Sequence, residues 1–574
     1  LISSTASLES GAAPDVAHEV APRQGVSRTE ASVLLALTVL ALALRATSLS
    51  RSLYTDEAYS LALAQRGFGH MLGLFFNYEP NGTPYSILLW PLIRIFGTGP
   101  TLLRLPAVLG GTASVPALWW AARRLATPTA ALLAAGLLAI NPMAVWYGQE
   151  ARSYAFVLLA VCLAFGVLPH ALDRGRGRRA WVGYVAAMVA LAYCELFAVP
   201  LVLPAQALIV WRRGRAGLRR WVSALLAVLV CCVPLLVGAA IARSHRDALY
   251  WAPRTDRALV TFALQELTAG LSGVSALRWA TLAGGVALLV VAVVWIARRG
   301  AAPAVRGTLA TAICWGVVPA AVLLAISFVQ PVFWPRYAIL SLPGLCLALA
   351  LAAELLRHSR RGVLVAGACL AVVVVAAVVA DARQRTAVQE DWKSAAAWLR
   401  AERAPDQPAI VDTVSVLPSL GYYDPELRAS DGDLVVQEWQ DRPLPAGVAG
   451  YKDPGGWGTV PDGPPTVHAF QRLARIGRGT VWMVVAEIVT SRQGEVSDGA
   501  AVAWARAHCR VQARQLVEVW VMRASDCAGA AGASTAQAPP AAARAAVRER
   551  AGRARRDLLA AQDRRGHRLR EPLA

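Results

Sequence analysis

Charge is scarce in this chain, and lysine is nearly missing: Lys393 and Lys452 are the only two. Charged residues make up 16%, well below the roughly 25% of a soluble domain. An ordinary soluble fold of this length is therefore excluded. No Cys-x-x-Cys pair occurs among the 9 cysteines, which removes zinc-ribbon and thioredoxin-type readings. Cys162, Cys194, Cys231, Cys232, Cys314, Cys346 and Cys369 lie in or beside apolar blocks, where cysteine behaves as a small hydrophobe. No internal repeat is evident. The alternating segments of a membrane barrel are also missing.

What is present is a series of long, nearly uncharged blocks, among them Ala31–Thr47, Tyr154–His170 and Val363–Ala380. Each is about as long as the 17–25 residues that cross a bilayer core as a helix, the one open structure that satisfies its own backbone there. We count about eleven spans: Ala31–Thr47, Leu102–Trp120, Ala130–Trp146, Tyr154–His170, Trp181–Tyr193, Leu196–Trp211, Trp221–Ile241, Trp279–Ile296, Leu309–Phe328, Tyr337–Leu356 and Val363–Ala380. The net charge of +20 comes from arginine. The arginines cluster at 123–124, 174–179, 212–220, 298–306 and 357–361, in alternate loops. That is the mark of cytoplasmic loops and not of a nucleic-acid surface. All five clusters fit the cytoplasmic side together, which leaves everything after Ala380 outside.

Pro84–Phe96 is apolar but only about 13 residues long, too short to span, and it carries Pro91 and Arg94. It reads as a juxtamembrane helix on the outer surface within one large external loop, 48–101. The polar stretch 1–30 has its charges and apolar run in the wrong order for a signal peptide and reads as a disordered cytoplasmic leader. Residues 31–380 form the membrane module. Residues 381–527 read as an external α/β domain: an amphipathic helix over 381–403, then strands in PAIVDTV, TVWMVVAEIV and QLVEVWVM, with a long loop over 432–465. The Ala/Arg-rich tail 528–574 lacks the bulky apolar residues of a core.

Four strings carry the candidate chemistry, all on the outer face of this scheme. Tyr54-Thr55-Asp56-Glu57 follows the first span, and paired acids beside a membrane are costly unless solvated or used. The plain alternative is two solvated acids capping a helix at Thr55 or Asp56. Gln149-Glu150-Ala151-Arg152-Ser153-Tyr154 follows the third span, Phe333-Trp334-Pro335-Arg336-Tyr337 opens the tenth, and Phe96-Gly97 with Arg104-Leu105-Pro106 opens the second. Taken singly these read as interfacial anchors and snorkelling arginines.

As an ordered set they resemble the GT-C glycosyltransferases, in the family 39-like branch of protein O-mannosyltransferases, aminoarabinose transferases and bacterial relatives. The resemblance covers roughly Ala31 to Cys527. It implies a GT-C-like α-helical polytopic membrane protein with a small extracytoplasmic α/β domain, in the plasma membrane. It also implies transfer of a sugar, mannose first and arabinose next, from a polyprenyl-phosphate donor to an extracytoplasmic protein, glycan or lipid, with inversion. Asp56 is the expected base, with Glu57 orienting it and Glu150 a second acid. Arg104, Arg152 and Arg336 are expected to bind phosphate, because guanidinium grips it bidentately. Tyr154, Tyr337 and Glu195 complete the expected substrate set.

The chain departs from the pattern at Tyr193-Cys194-Glu195-Leu196, where many relatives carry a histidine, and at Gly82-Thr83-Pro84, where Pro-Pro is frequent. A glutamate cannot replace a cationic imidazole, so sugar or acceptor preference is expected to differ. No cofactor is implied, and no dedicated metal-ligand cluster is visible. The competing readings are a transporter or flippase of lipid-linked intermediates, which would put its polar residues at mid-membrane, and a non-catalytic membrane protein, in which the four strings would lie apart. Cys509 and Cys527 either form a disulfide between two strands folded back on each other or stay as two thiols.

Overall fold

The computed structural model describes residues 25–77, 82–173, 177–212, 214–245, 255–330, 332–404, 407–411, 417–425, 434–435, 470–471, 474, 479–486, 500–517 and 519–527. Every expected span is helical. These are α1 (Arg28–Arg45), α5 (Pro100–Ala122), α6 (Pro128–Ala139) with α7 (Pro142–Tyr147), α8 (Tyr154–Leu172), α9 (Arg178–Cys194), α10 (Ala198–Trp211), α11 (Gly214–Cys231) with α12 (Val233–His245), α14 (Ser275–Arg299), α15 (Pro303–Ser327), α16 (Leu342–Leu356) and α17 (Arg360–Gln384). A 3-10 stretch, Pro335–Ser341, leads into α16. By length and composition alone, 6 of these pass as membrane-crossing, or up to 7 if the bent pair α11–α12 counts as one. The chain is a membrane protein.

The shortfall has local causes. Arg28, Glu30 and Arg45 fall within α1. The third span breaks at Ile140–Asn141, where Asn141 Oδ1 caps α7 through Ala144 N–H and Pro142 takes the first turn. The seventh bends by 49° before Val233-Pro234, because proline lacks the N–H that would continue the helix.

Packing follows the rule for helices in lipid, with small residues where backbones approach. A Cβ on Gly110 would stand 3.1 Å from the Phe156 ring, which lets α5 lie against α8. A Cβ on Gly316 would meet Leu345 N at 2.8 Å, where α15 crosses α16. Leu364, Val375 and Val230 remain exposed, as a lipid-facing surface requires.

Three helices fill the segment between α1 and α5: α2 (Thr55–Gln65), α3 (Phe68–Asn77) and α4 (Thr83–Phe96). Between the seventh and eighth expected spans lies a further helix, α13 (Arg257–Ala269), which packs on α7 and the 3-10 stretch.

After α17 come α18 (Trp392–Glu402), β1 (Ala409–Val411), α19 (Leu417–Tyr423), β2 (Leu434–Val435), β3 (Val481–Ala486), α20 (Ala500–His508), β4 (Arg510–Leu516) and β5 (Val519–Ser525). The helix expected over 381–403 is thus two: 381–384 ends α17, and α18 starts at Trp392. The sheet order is β2-β1-β3-β5-β4. β1 runs parallel to β2 and β3; β5 is antiparallel to β3 and β4. The run QLVEVWVM, read as one strand, holds the turn of the β4–β5 hairpin, and Cys509–Cys527 closes that hairpin's open end as a disulfide. Trp392, Trp482, Phe470 and Val521 form this domain's core. The leader up to residue 24, most of the expected 432–465 loop and the tail lie outside the described residues.

Candidate functional site

The ends of α1, α7 and α17, the starts of α2, α5, α8 and the 3-10 stretch, and the α9–α10 tip meet on one face of the bundle. Cross-links hold them. Ser48 Oγ donates to Arg385 O at 2.8 Å, and Ser153 Oγ donates to Cys194 O at 2.8 Å. Arg45, fully buried, donates to Ala139 O and Leu138 O, carbonyls of the last turn of α6.

α2 carries the acidic pair, and its start is fixed twice. Glu57 reaches back to Tyr54 N–H at 3.3 Å in a capping box. Glu390, from the α17–α18 connection, accepts from Thr55 N–H at 2.9 Å, from Thr55 Oγ1, and from Trp392 Nε1. The two acids then part company. Glu57 is wholly buried and faces Arg104, whose Nε and Nη2 reach its two oxygens at 2.7 and 2.5 Å. Arg104 spends its remaining donors on Leu49 O, Arg51 O and Ser52 O, so all its N–H groups have partners within the protein. Asp56 points the other way and keeps 31% of its side chain exposed. Its Oδ2 lies 2.7 Å from Arg336 Nη1 and 3.8 Å from Arg152 Nη2.

Around that trio stand aromatic rings. Arg336 lies over the Tyr154 ring at 5.6 Å, and Tyr154 meets Tyr147 edge-on at 5.1 Å. Glu150 is sealed beneath, accepting from Tyr54 Oη at 3.2 Å and Trp146 Nε1 at 2.7 Å. Arg51 lies 3.8 Å above the Trp146 ring and donates to Gln149 Oε1 at 3.0 Å. Glu266 on α13 accepts from Tyr147 Oη at 2.8 Å. Glu195, at the α9–α10 tip, is buried within electrostatic reach of Arg336, Arg152, Tyr154 and Tyr337.

The carboxyls separate into two electrostatic classes. Burial would raise Asp56, but Arg152 and Arg336 outweigh it and hold the group below the ordinary carboxylate range. Glu57 is lowered likewise, with Arg104 overcoming burial. Glu150 goes the other way, to about 8, through burial and repulsion from Glu57. Burial also raises Glu195 and Glu266 to about 7 and Glu390 to about 8.

The structure therefore gathers the strings that sequence alone left apart: Asp56, Arg152, Tyr154, Glu195, Arg336 and Tyr337 share one neighbourhood, with Glu57, Arg104 and Glu150 packed behind it. Sequence reading missed Arg51, Glu266 and Glu390. Glu266 had a signal, an acid in the apolar run LVTFALQELTA; Glu390 had none beyond its place before Trp392. Among the described residues, no three His, Cys, Asp or Glu group as metal ligands would.

Residues 83–237 match the family model of dolichyl-phosphate-mannose-protein mannosyltransferases. Two structures of ArnT from Cupriavidus metallidurans share the fold. The one bound to undecaprenyl phosphate has a TM-score of 0.50 at 16% identity, covering 88% of this chain and 99% of ArnT. The apo one has 0.52 at 16%, covering 88% and 100%. The oligosaccharyltransferase AglB from Archaeoglobus fulgidus aligns at 0.46 and 13% identity, over 87% of this chain and 74% of AglB. No curated protein sequence matches. The fold is the one seen in the ArnT structures, and the family match over residues 83–237 agrees with the GT-C resemblance drawn from the motifs.

Proposed function

We propose that this protein transfers a sugar from a polyprenyl-phosphate donor to an acceptor hydroxyl on the extracytoplasmic face of the plasma membrane, with inversion. The observation that carries the reading is Asp56: an ionised, part-exposed carboxylate placed beside Arg336 and Arg152 where the helix ends meet on one face of the bundle. Inverting transfer from a phosphate needs two things. A carboxylate must take the proton from the acceptor hydroxyl as it attacks the anomeric carbon. Cations must take the charge that gathers on the departing phosphate. Both lie within one salt-bridged trio.

In this reading Asp56 is the base, and Arg336 and Arg152 receive the phosphate. Tyr154 and Tyr337 line the sugar's surroundings. Glu57 and Arg104 act by positioning, since their closed pair fixes the start of α2 and offers nothing to a ligand. Glu150, raised to about 8, holds a proton at neutral pH and braces Tyr54 and Trp146.

An apolar cavity of about 380 Å³ supports the lipid half of the reading. Leu137, Leu289, Leu324 and Leu345 line it among the helices, and Phe333 and Ala338 bring it up to the turn that carries Arg336. It suits a polyprenyl chain whose phosphate ends at that arginine. The solved relative that binds undecaprenyl phosphate points to the same donor class, and the family model points to mannose; the acceptor is a protein hydroxyl, a cell-wall glycan or a lipid.

The test is mass spectrometry of cell-envelope glycans and glycoproteins from a deletion strain. Loss of one sugar from one acceptor class, restored by the wild-type gene and not by Asp56→Asn, is expected. Loss of the sugar with lipid-linked sugar accumulating on the cytoplasmic side, restored by Asp56→Asn as well as by wild type, would favour a flippase.

A further inference from the structure

Glu195 has no part in the chemistry above, and its surroundings ask for one. The side chain is 5% exposed, yet Oε1 has no hydrogen-bond partner. The Phe197 amide reaches the carboxyl, which leaves the second oxygen unmatched. An unsatisfied buried polar group costs about 1–3 kcal/mol, more for a charged one. The tip cannot simply swing out to relieve this. Glu195 N–H is held by Leu191 O at 2.9 Å, and the Cys194 carbonyl by Ser153 Oγ at 2.8 Å.

Arg336 and Arg152 each turn an N–H towards Asp56, and no protein donor reaches Oε1. A phosphate would be repelled by the carboxyl. A neutral O–H would fit it, because a carboxyl oxygen is an acceptor that such a donor matches.

Position chooses which O–H. Asp56 keeps the open side of the site, where an acceptor must enter. Glu195 is deeper and within electrostatic reach of the two arginines, so a sugar carried on a phosphate held there would come within reach of its carboxyl. We infer that Glu195 reads a hydroxyl of the transferred sugar and so determines which donor is used; this rests on the glycosyltransferase reading above. A site built to hydrogen-bond a substrate hydroxyl rejects the analogue lacking it, because its own buried polar group is then left unpaired.

The experiment is a cycle between residue and substrate. Transfer is measured with polyprenyl-phosphate mannose and polyprenyl-phosphate arabinose, then with singly deoxygenated analogues of whichever turns over. Wild type, Glu195→Gln and Glu195→Ala are compared, after thermal melting has checked folding. In the wild type, one deoxy donor should lose about 10–100-fold in kcat/KM. In Glu195→Ala the parent donor should fall to the level of that analogue, so the difference between them vanishes. Glu195→Gln, whose amide oxygen still accepts, should recover part of it. If every deoxy donor keeps the same ratio to its parent in wild type and Glu195→Ala, Glu195 does not read the sugar. If the wild type transfers from no lipid-phosphate donor, the glycosyltransferase reading falls, and this inference with it.

Discussion

Replacing Asp56 by Asn should move turnover and donor affinity in opposite directions. The substitution keeps size and an acceptor oxygen but removes the ability to take a proton. General-base catalysis contributes roughly 10²–10⁴-fold, and kcat should fall by that order. The same change removes a negative charge from beside Arg336, 2.7 Å away, and Arg152, 3.8 Å away. An incoming lipid phosphate then competes with no carboxylate for those guanidiniums. Two like charges about 6 Å apart repel by roughly 3 kcal/mol at an effective dielectric of 20. Asp56 is 31% exposed, so solvent screens much of this, and about tenfold tighter binding is a fair expectation. The assay is titration of undecaprenyl phosphate into protein in nanodiscs, beside turnover of the full donor. Near-normal turnover in the Asn variant would refute the base. Weaker phosphate binding would refute the assignment of the two arginines.

Arg104→Lys should destabilise the protein by about 3–5 kcal/mol, the cost of breaking a buried pair from one side, because one ammonium cannot serve Glu57 and three carbonyls; a melting curve of the detergent-solubilised variant checks this. Cys509 and Cys527 should resist thiol labelling until reductant is added, and Cys509→Ser should lower the stability of the C-terminal domain by about 3 kcal/mol, as expected for a closed loop of this order. Glu390 carries a folded-state pKa of about 8 against 4.5 unfolded, so between those values the unfolded state binds fewer protons and stability falls as pH rises. Thermal stability measured across pH 5 to 9 should show that decline, and Glu390→Gln should flatten it.

The helices were legible because their signal is compositional: long uncharged blocks bounded by arginine. Interruptions were harder. Asn141-Pro142 could be recognised as a helix start, but nothing in the apolar run told that Arg45 would cap the helix ended there. The site was legible as a set of strings, since each stands at a helix end and helix ends meet at a face. What each side chain does within the set was not. Asp56 and Glu57 are neighbours in sequence, yet the turn of α2 sends one to the open trio and the other into a sealed pair. Arg104 and Arg336 look alike as guanidiniums at span openings, and only the three-dimensional count of donors distinguishes a filled one from one that faces an exposed carboxylate. Glu266 had its signal as an acid within an apolar run, but that run lay outside the expected spans and nothing tied it to the other strings.

The anchoring of α2 by the far end of the chain has a practical consequence for protein engineering. Glu390 holds Thr55, Tyr423 Oη accepts from Leu53 N–H at 2.7 Å, and Lys393 N–H meets Ser52 Oγ at 3.3 Å. The C-terminal domain is therefore not a cassette that can be exchanged at the end of α17. A chimaera joined there would pair a foreign domain with the native 48–55 segment and leave the first turn of the Asp56 helix without its partner. Transplants that move residues 48–55 together with everything from Arg385 onward keep both halves of the latch, and those are the hybrids in which the start of the Asp56 helix keeps its support.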